Sequence, residues 1–361
     1  MLSQKTSSST TLAARLSLAV ILLNRVISAS TAITLVLLIG CSTKPEVIEL
    51  SGAKMGTTYH IKVVADQPAP DDLHQQIDDL LSIVDNTMST YKPNSELSRF
   101  NRMAVGERMQ ISPDFSRVMQ ISRHVWEQSD GAFEPTVGPL VNLWGFGPDP
   151  SNNSAPDTDQ VNAAMQKVGF QHLVYDAQSL AKVREVELDL SAVAKGYAVD
   201  LVADRLEMLA LPDYLIEVGG EIRVSGSNPN GEPWRIAIEQ PQLMPSVNRI
   251  ISLHNMAVAT SGDYRNYFEQ QGTRYSHILD SRTGQPIKHN LASVTVLSNS
   301  CAEADAWATA FLVMGAEESL QIAQKLNIAV YLLVNNGDTF EALSSEKFEL
   351  LTQQAIEQTV I

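Results

Sequence analysis

Apolar positions along the chain switch between a spacing of two residues and a spacing of 3.6 residues. Alternation predicts a strand at Gly56–Val64, whereas the apolar residues of Asp71–Met88 recur at helical spacing and predict a helix. Ser112 and Pro113 predict the start of another helix, because Ser is a good N-cap and Pro fits the first helical position. That helix is expected to end near Gly131. Both periods occur without a repeat of fixed length, which favours an α+β architecture.

The second half of the chain continues both patterns. The predicted strands are Glu185–Leu190, Tyr214–Val218, Glu221–Ser225, Trp234–Gln240, Arg249–Thr260, Tyr275–Leu279 and Leu291–Leu297. A helix is predicted at Val193–Leu209, a tight hairpin turn at Gly219-Gly220, and a surface loop at Pro148–Asp159. We therefore expect a single α+β catalytic unit with a mixed or antiparallel sheet and peripheral helices, or two intimately joined subdomains.

The N-terminal segment has the pattern of an export signal. Arg25 is followed by an apolar or small run that ends at Cys41, and this run is short for a membrane-spanning helix. Leu38-Ile39-Gly40-Cys41 is typical of a lipobox. We predict that residues 1–40 are a lipoprotein signal peptide and that residues 41–361 are the mature domain, lipid-anchored through Cys41 on the periplasmic face of a bacterial membrane. The alternative is a signal anchor with an incidental cysteine.

Charge and cysteine content narrow the possible functions. The formal net charge of −15 argues against nucleic-acid binding, which depends on Lys and Arg neutralising phosphates. Apart from Cys41, whose thiol would carry the lipid, only Cys301 remains in the predicted mature chain, so an intramolecular disulfide is impossible and stability must come from a hydrophobic core. An acidic protein that handles phosphate groups needs a metal ion.

A candidate metal site lies in the apolar helical pattern of Ala302–Met314. Asp305 and Thr309 are four residues apart, so their oxygens lie on one helix face about a turn apart. Mg²⁺ prefers oxygen ligands and is often held by one or two carboxylates while substrate phosphates complete its shell. The alternative is that Asp305 caps or solvates the helix while Thr309 bonds back to a carbonyl.

Eight polar or small clusters interrupt the predicted scaffold, and in this order they resemble the ApbE family of FAD:protein FMN transferases. They are Met55–Tyr59 (MGTTY), Met88–Asn101, Asp130–Gly147 (containing DGAFEPTVGP), Asp189–Asp200 (DLSAVAKGYAVD), Glu217–Ile222 (EVGGEI), Thr260–Tyr267, Ser276–Pro286 and Glu303–Gly315. The resemblance spans roughly Val47–Val334, nearly all of the predicted mature chain.

The resemblance implies a reaction, a cofactor and a class of partner. The FMN half of FAD would be transferred to a Thr hydroxyl of a partner flavoprotein through a phosphoester bond, with AMP leaving and Mg²⁺ required. The partner would be an exported flavoprotein such as a subunit of a membrane redox pump, matured by this flavinylation. Two alternatives remain open: an Mg²⁺-dependent FAD pyrophosphatase that uses water as acceptor, and a lipid-anchored FAD carrier without chemistry.

The resemblance also implies roles for individual residues. Asp305 and Thr309 would bind the metal by their side chains, and Ala192 by its backbone carbonyl. The flavin nucleotide would contact Met55, Tyr91, Ala132, Phe133, Glu134, Asp189, Lys195 and Leu279. For these residues the alternatives are structural: a helix-start Asp for Asp189, a surface Lys for Lys195, core residues for Tyr91 and Phe133, and a gap filler for Met55.

His277 is the candidate for taking the proton of the acceptor Thr, because a neutral His is basic near pH 7. The alternative is a structural histidine that orients its loop. The pattern departs from the family at Ser281, where Pro is frequent, and at Glu134, where Asp is frequent. Neither departure removes a metal ligand.

Overall fold

Eight strands form one antiparallel sheet in the computed structural model, which describes residues 46–147, 155–241, 246–263, 267–270, 273–337 and 339–357. The predicted signal peptide and Cys41 lie outside the described residues. The strands are β1 (Glu46–Lys54), β2 (Thr57–Ala65), β3 (Arg108–Gln110), β4 (Leu173–Tyr175), β5 (Ser179–Lys182), β6 (Asp213–Val218), β7 (Glu221–Ser225), β8 (Trp234–Glu239), β9 (Val247–Leu253), β10 (Met256–Gly262), β11 (Tyr267–Gln270), β12 (Thr273–Ser276), β13 (Leu279–Asp280), β14 (Gln285–Pro286), β15 (Leu291–Ser298), β16 (Ala329–Asn335) and β17 (Phe340–Ser344). The large sheet has the order β1-β2-β6-β7-β10-β15-β16-β17, and every neighbouring pair is antiparallel.

Helices cover the sheet and join its strands. They are α1 (Leu73–Met88), α2 (Glu96–Asn101), α3 (Pro113–Gln128), α4 (Gly138–Leu143), α5 (Thr158–Met165), α6 (Ser191–Met208), α7 (Cys301–Met314), α8 (Ala316–Leu326) and α9 (Glu346–Glu357), with a 3-10 turn at Phe170–His172. The Ser112 hydroxyl accepts a hydrogen bond from the Phe115 amide and Pro113 is the first residue of α3, as the sequence predicts. No helix in these described ranges is long and apolar enough to cross a membrane.

The two faces of the sheet bury different sets of side chains. Successive residues of a strand point to opposite faces, so Val63 packs into the core beneath the helices while Val64 packs into a second core. The second core lies against the two-stranded ribbon of β8 and β9, and Phe348 of α9 is fully buried in it. Helix α7 contacts β10, β15 and α6, and nearly all of its residues are buried. The α+β prediction is therefore confirmed.

The predicted strand at Glu185–Leu190 is wrong, although its alternation of buried and less buried residues is present. This segment pairs with no strand among the described residues. Its backbone is instead held by a side chain: Leu188 donates to Oδ1 of Asn101 and accepts from its Nδ2, while the Asp189 amide donates to the carbonyl of Pro135. An amide side chain can satisfy a backbone donor and acceptor together, so the alternating pattern does not require a sheet.

Two other predicted strands are each divided into two separate strands in the structure. Arg249–Thr260 contains the end of β9 and most of β10, separated at His254-Asn255, and these strands belong to different sheets. Tyr275–Leu279 is interrupted at His277-Ile278, between β12 and β13. The predicted hairpin at Gly219-Gly220 is confirmed, with φ values of 60° and 101° that glycine adopts without strain. Of the predicted loop Pro148–Asp159, residues 148–154 lie outside the described part and α5 begins at Thr158.

Candidate functional site

Two contiguous cavities of about 510 and 420 Å³ lie beside the N-terminal end of helix α6. Both are lined by Thr90, Tyr91, Asp189 and Ser191, so these four residues form the junction between them. The larger cavity contains Met55 and Lys195, and the smaller one contains Ala132, Phe133, Glu134, Ala192, His277, Leu279 and Thr309. Every predicted site residue in the described ranges therefore lines a cavity, except Asp305, which lies behind Lys195.

Met55 lies at the tip of the β1–β2 hairpin. Met55 and Gly56 have φ values of 55° and 72°, which is the conformation of a two-residue type I′ turn. A positive φ is unfavourable for a residue with a Cβ, so the hairpin holds Met55 in a strained conformation at the edge of the larger cavity.

Tyr91 lies in the short loop between α1 and α2. The loop is anchored by the hydroxyls of Ser95 and Ser98, which both donate to the carbonyl of Ser89. The Tyr91 ring is 82% exposed, so the alternative that it is a core residue is wrong. An exposed aromatic ring at the junction of two cavities is available for stacking on a flat ligand.

Residues 132–134 follow a tight turn after α3, where Asp130 and Gly131 have φ values of 49° and 77°. Ala132 and Phe133 are buried, and Phe133 both packs in the core and lines the smaller cavity. The turn is tied to the β13–β14 hairpin because the hydroxyl of Ser281 donates to the carbonyl of Gly131 at 2.7 Å. The Ser at position 281 thus supplies a hydrogen bond that Pro could not.

The Glu134 carboxylate is hydrogen-bonded to neighbouring groups of the protein. It accepts hydrogen bonds from the Trp126 indole, the Phe170 amide, and both the amide and hydroxyl of Thr136, at 2.7–3.1 Å. Burial raises the pKa of Glu134, and these donors partly oppose that shift. Its carboxylate oxygens are therefore used to shape the loop, and a ligand in the cavity would meet the backbone of this segment.

Helix α6 begins at the junction of the cavities. The Asp189 carboxylate accepts a hydrogen bond from the Ser191 amide at 2.9 Å, so Asp189 supports the helix start and lines both cavities. The N-terminus of an α-helix carries the positive end of its dipole, which favours a phosphate group in the junction. The amides of Ser191, Val193 and Ala194 already have protein acceptors, so the dipole and not a row of free amides would act on such a group.

Asp305 is held against the first turns of α6. Its side chain is buried, and its Oδ2 accepts a hydrogen bond from the Gly196 amide at 3.1 Å. Ser300 is the N-cap of α7, so the alternative that Asp305 is a solvated or capping residue is wrong. Burial raises the pKa of Asp305, while the positive charge of Lys195 and the Gly196 amide oppose the shift.

Lys195 is not an ordinary surface lysine. Its Nζ donates to Oε1 of Glu221 at 2.6 Å and lies 3.7 Å from Oδ1 of Asp305. Burial alone lowers the pKa of Lys195, but the charges of Asp305 and Glu221 together raise it, so the ammonium stays protonated. Glu221 belongs to a motif that the sequence singles out, yet its contact with Lys195 could not be read from spacing.

The residues around Asp305 fit a hard divalent cation. Within the described ranges no group of three or more His, Cys, Asp or Glu side chains could hold a metal, so a cation here would depend on one carboxylate and neutral oxygens. Thr309 follows one turn later and its hydroxyl is 3.3 Å from that of Ser261. In a regular α-helix the Ala192 carbonyl is directed at the amide of Gly196, the residue whose amide donates to Asp305. Such a donor set suits Mg²⁺ that keeps waters or phosphate oxygens in its shell.

His277 lies on the opposite wall of the smaller cavity, in the break between β12 and β13. Its Nδ1 is 3.7 Å from Oδ1 of Asp263, and its ring meets that of Phe146 edge-on, with 6.2 Å between centroids. The Ser276 hydroxyl also donates to Asp263. The imidazole is half-buried and reaches the cavity, so it is placed both to accept a proton and to orient its loop.

Comparisons with known proteins point to the family that the sequence motifs resemble. Residues 55–332 match the model of the ApbE family. The FAD:protein FMN transferase of Vibrio cholerae is 44% identical over 320 residues, covering 88% of this chain and 96% of the relative; that of Escherichia coli K12 is 37% identical over 326 residues, covering 86% and 93%.

Solved structures give the same result. The flavin transferase ApbE of Vibrio cholerae superimposes with a TM-score of 0.78 at 42% identity, covering 85% of this chain and 99% of that structure. The apo flavinyl transferase ApbE of Pseudomonas stutzeri superimposes with a TM-score of 0.80 at 40% identity, covering 86% and 98%. These structures share the arrangement of helices around an antiparallel sheet.

Proposed function

The chain belongs to the ApbE family and is a flavin transferase, and we propose that its reaction is Mg²⁺-dependent transfer of FMN from FAD to a threonine hydroxyl of a partner flavoprotein. The observation that carries this proposal is the clustering of distant motifs around two contiguous cavities with a buried carboxylate behind them. Two cavities joined at a helix N-terminus suit a dinucleotide whose two flat rings are separated by a pyrophosphate.

The proposed transfer is a displacement at phosphorus. The threonine hydroxyl oxygen forms a bond to the FMN phosphorus, and the bond from that phosphorus to the oxygen shared with the AMP phosphate breaks. That oxygen keeps the electron pair and leaves on AMP. Such reactions need alignment of the two oxygens and neutralisation of charge more than covalent chemistry from the protein.

The side chains divide these tasks. The positive end of the α6 dipole and the Lys195 ammonium would lie beside the phosphates, and Tyr91 would stack on a flat ring at the cavity junction. His277 would take the hydroxyl proton. Mg²⁺ would be held by Asp305, Thr309 and the Ala192 carbonyl, and when bound it supplies positive charge to the phosphate oxygens.

The acceptor and location are part of the proposal. An exported flavoprotein, such as a subunit of a membrane redox pump, would present its threonine to the cleft. Lipidation of Cys41 would hold the enzyme on the periplasmic face of the membrane, close to such a partner. The lipobox and the short apolar run before it support this location.

The decisive experiment mixes the purified protein with FAD, Mg²⁺ and a flavoprotein domain that carries an acceptor threonine. Intact mass of the acceptor is measured, and we expect a gain of one FMN that EDTA prevents. Asp305→Ala removes the only carboxylate of the proposed metal site and should lower the transfer rate at least about 100-fold. Glu303→Gln is the matched control, because Glu303 is on the same helix but lines a separate cavity.

The other outcomes separate the alternatives. Free FMN and AMP without a gain in acceptor mass would mean that water is the acceptor and the protein is a pyrophosphatase. Bound, unchanged FAD would mean a carrier. Transfer that continues at the wild-type rate in Asp305→Ala would refute the assigned metal site.

A further inference from the structure

Glu221 is a buried carboxylate with an incomplete set of hydrogen bonds. It is the first residue of β7, directly after the Gly219-Gly220 turn, and is 3% exposed. Its Oε1 accepts from Nζ of Lys195 at 2.6 Å, whereas its Oε2 is buried without a hydrogen-bond partner among the described residues. Glu221 lines neither cavity of the cleft, so its effect on a bound substrate would pass through Lys195.

Fold stability does not explain this carboxylate. Burying a charged group costs free energy unless it is paired and fully hydrogen-bonded, and replacing a buried ion pair by apolar residues is often neutral or stabilising. Burial, together with the nearby charge of Asp305, raises the pKa of Glu221, while the Lys195 ammonium with which it pairs opposes the shift. Because burying this carboxylate does not stabilise the fold, we expect Glu221 to serve a function in the adjacent cleft.

The surroundings of Lys195 indicate what the function of the Glu221 carboxylate is. A lysine side chain is flexible and an isolated ammonium would sample many positions. Here the aliphatic stem is confined by the turn, since a Cβ added to Gly219 would lie 3.1 Å from Cδ of Lys195. The head lies between two carboxylates, Glu221 on one side and Asp305 on the other. The side chain remains 30% exposed and lines the larger cavity.

We propose that Glu221 is a positioning residue for Lys195, and that it holds the ammonium beside Asp305 at the point where the pyrophosphate of the donor nucleotide would lie. This inference rests on the proposed transfer function. Without Glu221, the remaining carboxylate paired with the ammonium in the described part of the chain is that of Asp305, at 3.7 Å, and the ammonium would compete directly with a cation for it. Glu221 thus lets one carboxylate serve a metal ion while a second one fixes the lysine.

A double-mutant cycle tests whether Glu221 acts through Lys195. Four proteins are compared: wild type, Glu221→Gln, Lys195→Met and the double variant. Glu221→Gln keeps the side-chain shape and an acceptor oxygen but removes the charge, and we expect kcat for FMN transfer to fall about 10- to 100-fold. In the Lys195→Met background the same change should alter kcat less than about threefold, because effects that pass through a shared partner are not additive.

A second readout separates positioning from general damage to the cleft. The affinity for FAD is measured by flavin fluorescence with EDTA present, and Glu221→Gln should change its Kd less than about threefold, since a misplaced ammonium reduces charge stabilisation during transfer more than ground-state binding. Glu217→Gln is the matched control: Glu217 lies in the same hairpin and pairs with His60, and glutamine keeps the side-chain oxygen that accepts from the Gly220 amide of the turn. No contact of Glu217 with Lys195 is found among the described residues, so the kcat of this variant should be that of wild type.

The outcomes are distinct. If Glu221→Gln lowers kcat by the same factor with Lys195 present and in the Lys195→Met background, with wild type active, the positioning role alone is overturned. Absence of transfer by wild type would overturn the proposed function and this inference with it. If Glu221→Gln loses cooperative thermal unfolding, Glu221→Asp, which withdraws the carboxylate by one methylene, replaces it in the same cycle.

Discussion

At the scale of single residues, Gly196 decides how closely helix α6 approaches helix α7. A Cβ at this position would lie 2.3 Å from the carbonyl oxygen of Cys301 and 2.8 Å from Cα of Ala302, and both of these are backbone atoms. The same close approach lets the Gly196 amide reach Asp305. Glycine is therefore needed here for space, since its backbone conformation is an ordinary helical one.

Gly196→Ala should force the two helices apart and move Asp305 away from the α6 amides. We expect a loss of about 1–3 kcal/mol in the free energy of unfolding, as for overpacked core sites, together with a higher Mg²⁺ requirement for transfer. Denaturant unfolding and a Mg²⁺ titration of activity measure both effects. Gly138→Ala is the control: it is also helical and its added Cβ meets nothing within 4 Å, but it precedes Pro139, so we expect a loss of about 1 kcal/mol or less and an unchanged Mg²⁺ requirement. Equal behaviour of the two variants would contradict the close-approach argument.

At the scale of elements, the N-terminus of α7 is capped by a residue of another helix. Asp200 of α6 accepts hydrogen bonds from the amides of Cys301 and Ala302 and from the hydroxyl of Ser300, at 2.8–3.0 Å. Its carboxylate also pairs with Arg223. These bonds fix the helix that carries the proposed metal ligands relative to the helix that opens onto the cavities.

Asp200→Ala should cost about 2 kcal/mol or more in unfolding free energy, because it removes a helix cap and leaves Arg223 without this partner. It should also weaken Mg²⁺-dependent transfer, since Asp305 is only one turn further along the same helix. Asp157→Ala removes the cap of α5 and serves as control: it should cost about 1 kcal/mol and leave the Mg²⁺ titration unchanged. A Mg²⁺ titration of Asp200→Ala that matches the wild type would show that the cap acts on stability alone.

At the scale of the whole molecule, the cleft is assembled from segments that are far apart in the chain. The β1–β2 hairpin, the loop after α1, the turn after α3, the start of α6 and the β13–β14 hairpin meet around the two cavities. The antiparallel sheet and helix α7 hold these segments in place, so residues with no common local pattern share one site.

The proposed membrane attachment is also a property of the whole molecule. Two acyl chains on one residue are enough for stable anchoring, whereas a single chain gives only reversible binding. We expect wild-type protein made in a bacterial host to fractionate with membranes and its Cys41 peptide to carry lipid by mass spectrometry. Cys41→Ser should release it or leave the signal uncut, while Ser42→Ala should behave as wild type. An unmodified Cys41 in the membrane fraction would refute the lipoprotein assignment.

The sequence by itself determined the family and the α+β class, and it predicted a set of residues most of which line the two cavities. Periodicity located α1, α3, α6 and most strands, because burial on one face imposes a spacing that can be read locally. The order of the motifs, through the resemblance, predicted one site for residues as distant as Met55 and Thr309, and these residues line the two adjoining cavities. The roles of those residues stay proposals that the transfer experiments test.

Only the tertiary structure decided which side chains meet. The Asn101 side chain bonds the Leu188 backbone as a neighbouring strand would, and the Glu134 carboxylate accepts hydrogen bonds from Trp126, Thr136 and Phe170. Glu221 meets Lys195 across 26 positions of sequence, and Asp305 meets Gly196 across 109. Local patterns report burial and period, whereas partners at such separations depend on how the helices pack on the sheet, which no single segment encodes.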